Sequence, residues 1–164
     1  METKELILHK LAEKFQSDIQ EITDFRGDLS ISVNKEKIVE ICKFLKEESE
    51  LNFSLCKDIT AIDWATRQNR FTVVYHIYSL HLNYQLRLKA NITGTGEEIE
   101  TVSSIWPSAN WYERETWDMY GIKFLNHPDL RRMYMPEEFE YHPLRKEFPV
   151  MGIPGSIPLP DKID

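Results

Sequence analysis

Apolar and polar positions alternate along this chain with two rhythms, and each rhythm predicts an element. Between Lys4 and Phe15, Ile7, Leu11 and Phe15 recur at i, i+4 and i+8, with Leu8 and Ala12 beside them, which is the stripe of an amphipathic helix. Ile19–Phe25 and Leu29–Val33 read as two short extended segments joined by Arg26-Gly27-Asp28 as a turn. Asn34 suits the N-cap of a second helix whose apolar face holds Ile38, Ile41, Cys42 and Leu45. Leu51, Phe53 and Leu55 then alternate with polar or small residues, as a strand would. Phe71–Tyr78 is apolar on both faces, which suits a central strand. In Leu82–Ala90, Leu82, Tyr84, Leu86 and Leu88 point inward and Asn83, Gln85, Arg87 and Lys89 outward. Asn91–Glu98, with Gly94 and Gly96, predicts a loop. A third helix is expected over 108–120, bracketed by Pro107 and Gly121. The order predicts an α+β two-layer domain over residues 1–123: helix, two strands, helix, three strands of a mixed sheet, then the third helix.

After residue 123 the pattern changes. Prolines at 128, 136, 143, 149, 154, 158 and 160 forbid long helices and remove amide donors that inner strands need. Yet Phe124, Leu130, Met133, Tyr134, Met135, Phe139, Tyr141, Val150, Met151, Ile153, Ile157 and Leu159 make free solvation unfavourable. Residues 124–164 are therefore expected to form an extended tail that docks on partner subunits, with the stretch from His142 onward lying across them and not on its own domain.

The 164 residues suffice for one domain with a real core. The longest apolar-rich stretch, Phe71–Leu80, is far short of a membrane span and contains His76. Met1–Lys10 has no signal-peptide apolar core, so a cytosolic chain that meets a membrane only through a partner is expected. A net charge of −7 argues against a nucleic-acid binder. Cys42 and Cys56 fit no Cys-x-x-Cys spacing, so these thiols alone hold neither zinc nor an iron–sulfur cluster; buried, reduced thiols are expected. There is no Gly-x-Gly-x-x-Gly, no P-loop and no Gly-x-Ser-x-Gly. Glu113, Glu115, Asp118, His127 and His142 supply metal-ligand types, but the Glu-x-x-His spacing of a di-iron helix is absent.

The most informative block runs from Trp111 through Lys146. On a helix, Glu115 and Asp118 share a face at i, i+3, and Arg114 and Asp118 stand at i, i+4, where they can pair. Trp111, Tyr112, Trp117 and Tyr120 are mixed with Glu113, Arg114, Glu115 and Asp118 around the whole circumference, which suits a helix in a polar protein–protein contact. Arg131, Arg132, Arg145 and Lys146 form a local basic patch suited to carboxylates across an interface. The acids and Arg114 read as a structural charge network.

This block resembles the signature of the 30 kDa subunit family of respiratory NADH:quinone oxidoreductase (complex I). The family pattern of Glu-Arg-Glu, Asp, Gly-Ile, His-Pro-Asp-Leu-Arg-Arg and His-Pro-Leu-Arg-Lys is matched by Glu113-Arg114-Glu115, Asp118, Gly121-Ile122, His127-Pro128-Asp129-Leu130-Arg131-Arg132 and His142-Pro143-Leu144-Arg145-Lys146. Asp63-Trp64, the Arg70–Tyr78 strand and Ser103 through Trp111 are also similar, so the likeness covers residues 50–150. Tyr141 departs from it, standing where the family often has glycine. The resemblance implies a cofactor-free scaffold in the peripheral arm of a proton-pumping enzyme, at the cytoplasmic side of the inner membrane. It implies a hetero-oligomer docked on the quinone-reducing partner and on neighbouring cluster-bearing subunits. FMN, iron–sulfur clusters and quinone would sit on those partners, with no active site here. A homologous small subunit of a membrane-bound hydrogenase, or a stand-alone metal-dependent enzyme, would be the alternatives.

Overall fold

In a computed structural model, residues 2–65, 69–92 and 97–155 are described. Helix α1 (Thr3–Phe15) buries Ile7, Leu11 and Phe15, the stripe that predicted it. Strands β1 (Ile19–Phe25) and β2 (Asp28–Val33) form a hairpin. Its two turn residues, Arg26 and Gly27, both have positive φ, which matches the right-handed twist of the strands. Helix α2 (Ile38–Glu47) buries Ile38, Ile41, Cys42 and Leu45, as expected. Asn34 does not cap it: a 3-10 turn over Lys35–Lys37 intervenes, and the Asn34 side chain makes no capping bond.

Strands β3 (Leu55–Asp63), β4 (Phe71–Ser79) and β5 (Tyr84–Ile92) complete a sheet of order β1-β2-β5-β4-β3. Only the β2–β5 pair in it is parallel. The register explains the two layers. Ile22, Ile31, Leu88, Tyr75 and Ile59 align across all five strands, and all but Ile22 are buried in the core with α1, α2 and Ala109. One residue along, Thr23, Ser30, Arg87, His76 and Asp58 align on the opposite, polar face. The expectation of an α+β mixed-sheet domain therefore holds.

Two local expectations fail, and a pair of short strands is unpredicted. Leu51 and Phe53 are fully buried but precede β3 in the chain reversal after α2, where Asn52 takes positive φ. The expected 91–98 loop is shorter than predicted: Asn91 and Ile92 end β5, and Glu98 opens a strand β6 (Glu98–Glu100); Gly94 and Gly96 lie outside the described residues. After helix α3 (Ala109–Tyr120), β6 pairs in parallel with β7 (Lys123–Leu125). Strands of three residues are too short to show a period.

The largest correction concerns the tail. Residue 124 is not a boundary: Phe124 lies buried in β7. Residues 127–148 return to the domain they were expected to leave. Leu144 donates its amide to the Met119 carbonyl at 3.0 Å, and Phe139 is buried. Proline blocks regular pairing, but isolated amides and side chains can still bond to a helix end, and here they do. Beyond this, Val150 and Met151 are fully solvent-exposed. The expected course of residues 156–164 lies outside the described residues.

Candidate functional site

Helix α3 positions the site. Its C-terminus is closed by Gly121 at φ +78°, the left-handed cap the sequence predicts. The cap has a second reason. A Cβ there would lie 2.5 Å from Arg145 Nη2 and 2.6 Å from the His142 ring, so the glycine admits the returning chain.

Asp118 is the hub. Its fully buried carboxylate accepts the amides of Met133 (3.0 Å), Tyr134 (2.7 Å) and Met135 (3.1 Å) on Oδ2, and Arg132 Nη1 at 2.7 Å on Oδ1. Burial would raise this carboxyl's pKa, but the three amides and the guanidinium outweigh it and hold it below the usual carboxylate range. Arg132 also donates to the Tyr141 carbonyl at 3.2 Å. His142 Nδ1 donates to the Asp118 carbonyl at 2.9 Å, and burial lowers the histidine's pKa. Arg145 Nε donates to the Tyr120 carbonyl at 2.6 Å, and the same guanidinium pairs with Glu97. Thus three of the last turn's free carbonyls, at Asp118, Met119 and Tyr120, are met by the chain that follows.

The expected Arg114–Asp118 pair does not form. Arg114 lies over the Trp111 ring at 4.9 Å and donates to the carbonyls of Arg131 (3.1 Å) and Arg132 (3.2 Å). Spacing alone permits the pair, but the returning segment already supplies Asp118 with three amides and the Arg132 guanidinium. Arg131 is exposed, beside Asp129 at 2.9 Å. Lys146 exposes its side chain and gives its amide to Asp63 Oδ2 at 2.9 Å. The four basic residues are therefore not one outward patch: Arg132 and Arg145 are engaged internally. Pro128 is exposed, Pro143 half-buried, and the Glu115 side chain enters no hydrogen bond or ion pair among the described residues.

At the other end of the acidic run, Glu113 is fully buried. It accepts the Val102 amide at 2.7 Å and the Thr101 hydroxyl. Burial outweighs these bonds and pushes its pKa up to about 7. His127 Nε2 lies 3.7 Å from Glu113 but 3.2 Å from the Asn110 carbonyl, which needs a proton on that nitrogen. Its Nδ1 accepts the Asp129 amide at 3.1 Å. One proton satisfies both contacts, and burial lowers the pKa, so the ring is neutral.

Sequence reasoning leaves Asp63 out of the site, although Asp63-Trp64 belongs to the likeness. Its carboxylate accepts Arg70 Nε (3.1 Å), Arg70 Nη2 (3.0 Å) and the Ala65 amide (2.8 Å) besides Lys146. Burial opposes ionisation, but Arg70 and the two amides prevail and hold it at about 2. Asp63 and Asp118 thus staple the returning segment at two points. Among the described residues no group of three or more His, Cys, Asp or Glu side chains could hold a metal ion, and no helix is long and apolar enough to cross a membrane. Burial pushes the Cys42 thiol well up and Cys56 to about 12, so both are protonated.

Known proteins share the fold and much of the sequence. The structure superposes on a trypsin-resistant fragment of Nqo5 with a TM-score of 0.64 and 27% identity, covering 79% of this chain and all of that one. It matches a chain of the membrane-bound sulfane sulfur reductase, an archaeal respiratory membrane complex, with a TM-score of 0.77 and 28% identity over 92% of this chain and 88% of the other. The NADH-quinone oxidoreductase C subunit of Geobacter sulfurreducens is 48% identical over 87% of this chain and 88% of its own length. That of Geotalea uraniireducens is 50% identical over 87% and 86%. The family model of the respiratory-chain NADH dehydrogenase 30 kDa subunit matches residues 31–153, and the chain belongs to that family.

Proposed function

We propose that this chain is a non-catalytic scaffold subunit of the peripheral arm of a proton-pumping NADH:quinone oxidoreductase, docked on the quinone-reducing partner. One observation carries the docking. The segment stapled by Asp118 and Asp63 engages Arg132, His142 and Arg145 within its own domain and turns Tyr134, Tyr141 and Leu144 outward, with exposed Val150 and Met151 just beyond it and Trp111 exposed beside Arg114. Exposed aromatic and aliphatic side chains on a preorganised segment are what an interface core requires. In this reading flavin, iron–sulfur clusters and quinone reside on neighbouring subunits, and the chain supports electron transfer only by holding them in place. This chain would lie peripherally on the cytoplasmic side of the membrane, held there through the complex.

Likeness to the sulfane sulfur reductase chain favours a second reading, a homologous small subunit of another energy-converting respiratory complex. Affinity isolation of the chain from gently solubilised membranes separates the two. NADH- and flavin-binding chains with a quinone-reducing partner are expected. A nickel-site chain, or a sulfur-reducing assembly without an NADH-binding chain, would favour the second. A free monomer would overturn both.

A further inference from the structure

We propose that Glu113, Thr101 and Ser103 form a proton-binding site: a carboxyl in the core joined to a surface cleft by two hydroxyls. The cleft is open to solvent, has a volume of about 610 Å³ and is lined by Thr101, Ser103, Ser104, Asn110, Asn126 and one charged residue, Glu100, whose carboxylate accepts the Asn126 amide. Thr101 Oγ1 lies within hydrogen-bond distance of Glu113 Oε2 on its inner side and 2.8 Å from Ser103 Oγ on its outer side. It also accepts the Ser103 amide at 3.1 Å, which fixes its position.

A hydroxyl has one proton, so this row has two polarities. When Glu113 is ionised, Thr101 donates to it, and Ser103 is free to donate to Thr101. When Glu113 is protonated, its O–H donates to Thr101, and Thr101 donates to Ser103. Uptake moves one proton from the cleft onto the carboxylate. Each hydroxyl passes a proton inward as it receives one, so both end as hydroxyls and the site's charge rises from −1 to zero.

The surroundings make the two states comparable in free energy. The titratable groups nearest Glu113 are His127 on the chain after β7, Tyr75 on β4, Cys42 on α2 and Cys56 on β3. None supplies a positive charge: the histidine is neutral, and burial raises the pKa of the phenol and both thiols. The neighbouring Arg114 points to the carbonyls of Arg131 and Arg132. The Tyr75 hydroxyl is itself buried with no hydrogen-bond partner among the described residues. Ionised Glu113 thus has two donors and no paired cation, and a pKa of about 7 follows from that geometry.

The test uses the full chain labelled with carbon-13 at glutamate carboxyls. The shift of the Glu113 signal against pH gives the midpoint, and broadening near the midpoint gives the exchange rate. A midpoint near neutrality is expected, lost in Glu113→Gln. Thr101→Val removes a bond that favours the charged form, so it should raise the midpoint and slow exchange severalfold. Ser103→Ala should slow exchange and leave the midpoint nearly unchanged. If Glu113→Gln does not fold, the signal perturbed by Thr101→Val identifies the carboxyl. A midpoint in the ordinary glutamate range, or exchange as fast in both hydroxyl variants as in the wild type, would overturn the proposal.

Discussion

Helix α3 buries two carboxylates about 1.4 turns apart, and their surroundings drive them in opposite directions. Asp118 meets three backbone amides and a guanidinium and stays charged well below neutrality. Glu113 meets one amide and one hydroxyl beside a neutral histidine, and its pKa rises to about 7. Burial is common to both, so it does not distinguish them. What differs is the number of donors, and the returning segment supplies every donor at Asp118. A charged residue in this fold acts as a fastener only where a second stretch of chain brings protons to it.

Breaking the Asp118 end should have the largest effect. Asp118→Ala strands the nearly buried Arg132 guanidinium and three amides, at an expected cost of about 3–5 kcal/mol. Urea unfolding of the full chain should show this loss, and proteolysis should open the segment 127–148. Asp118→Asn should fall between, since it keeps an acceptor but loses the charge. If Asp118→Ala unfolds like the wild type, the hub is not structural, and a chemical role returns to consideration.

The two ends also predict opposite responses to pH. Glu113 binds its proton more tightly folded than unfolded, so its contribution is full below about 4.5 and falls as pH rises through about 7. Over that window the shift corresponds to about 3 kcal/mol. Asp63, held at about 2, contributes above its ordinary 3.8 and loses that contribution as pH falls through about 2; Asp118 behaves in the same sense. Stability curves for wild type and Glu113→Gln should therefore converge below about pH 4.5 and separate toward neutrality, with the variant flatter. Parallel curves would show that the Glu113 pKa is not raised by folding.

Gly121→Ala disturbs the helix end next to Asp118. It forces an L-residue to φ +78° and places a methyl group against His142 and Arg145, so about 1–3 kcal/mol of strain is expected. The loss should appear first as faster cleavage near His142–Glu147, with the sheet intact. An unchanged cleavage rate would mean that the returning chain does not need the close approach.

These positions also mark what is legible in the sequence. Helices α1 and α2 and the strands β4 and β5 follow from side-chain period, because each buries one face or, for β4, nearly all of its length, whereas α3 follows only from the Pro107 and Gly121 that bracket it. The Gly121 cap is readable from its place after the helix. The Asp118 hub is not, because its partners are backbone amides, which every sequence has; only a fold can say which ones reach it. For the same reason spacing gives Arg114 the wrong partner. The proline spacing correctly excludes regular elements in the C-terminal segment, but it cannot show that single amides and arginines hold that segment to its own domain.

The smallest effect on folding should come from the end of the described chain, and it bears most directly on docking. Val150 and Met151 are 103% and 95% exposed, beyond the last staple at Lys146. Replacing both with serine removes no buried area, so the unfolding free energy should change by less than about 0.5 kcal/mol. If these side chains enter a partner's surface, each would lose burial worth roughly 1.5–3 kcal/mol there. The double variant should therefore fold normally yet dissociate more readily from the complex on native gels, whereas Asp118→Ala should damage both. Normal retention of the double variant would remove Val150 and Met151 from the interface. It would leave the stapled stretch with Tyr134, Tyr141 and Leu144 as the surface still to be tested, because those side chains are held in place by the Asp118 and Asp63 fasteners and not by the chain beyond them.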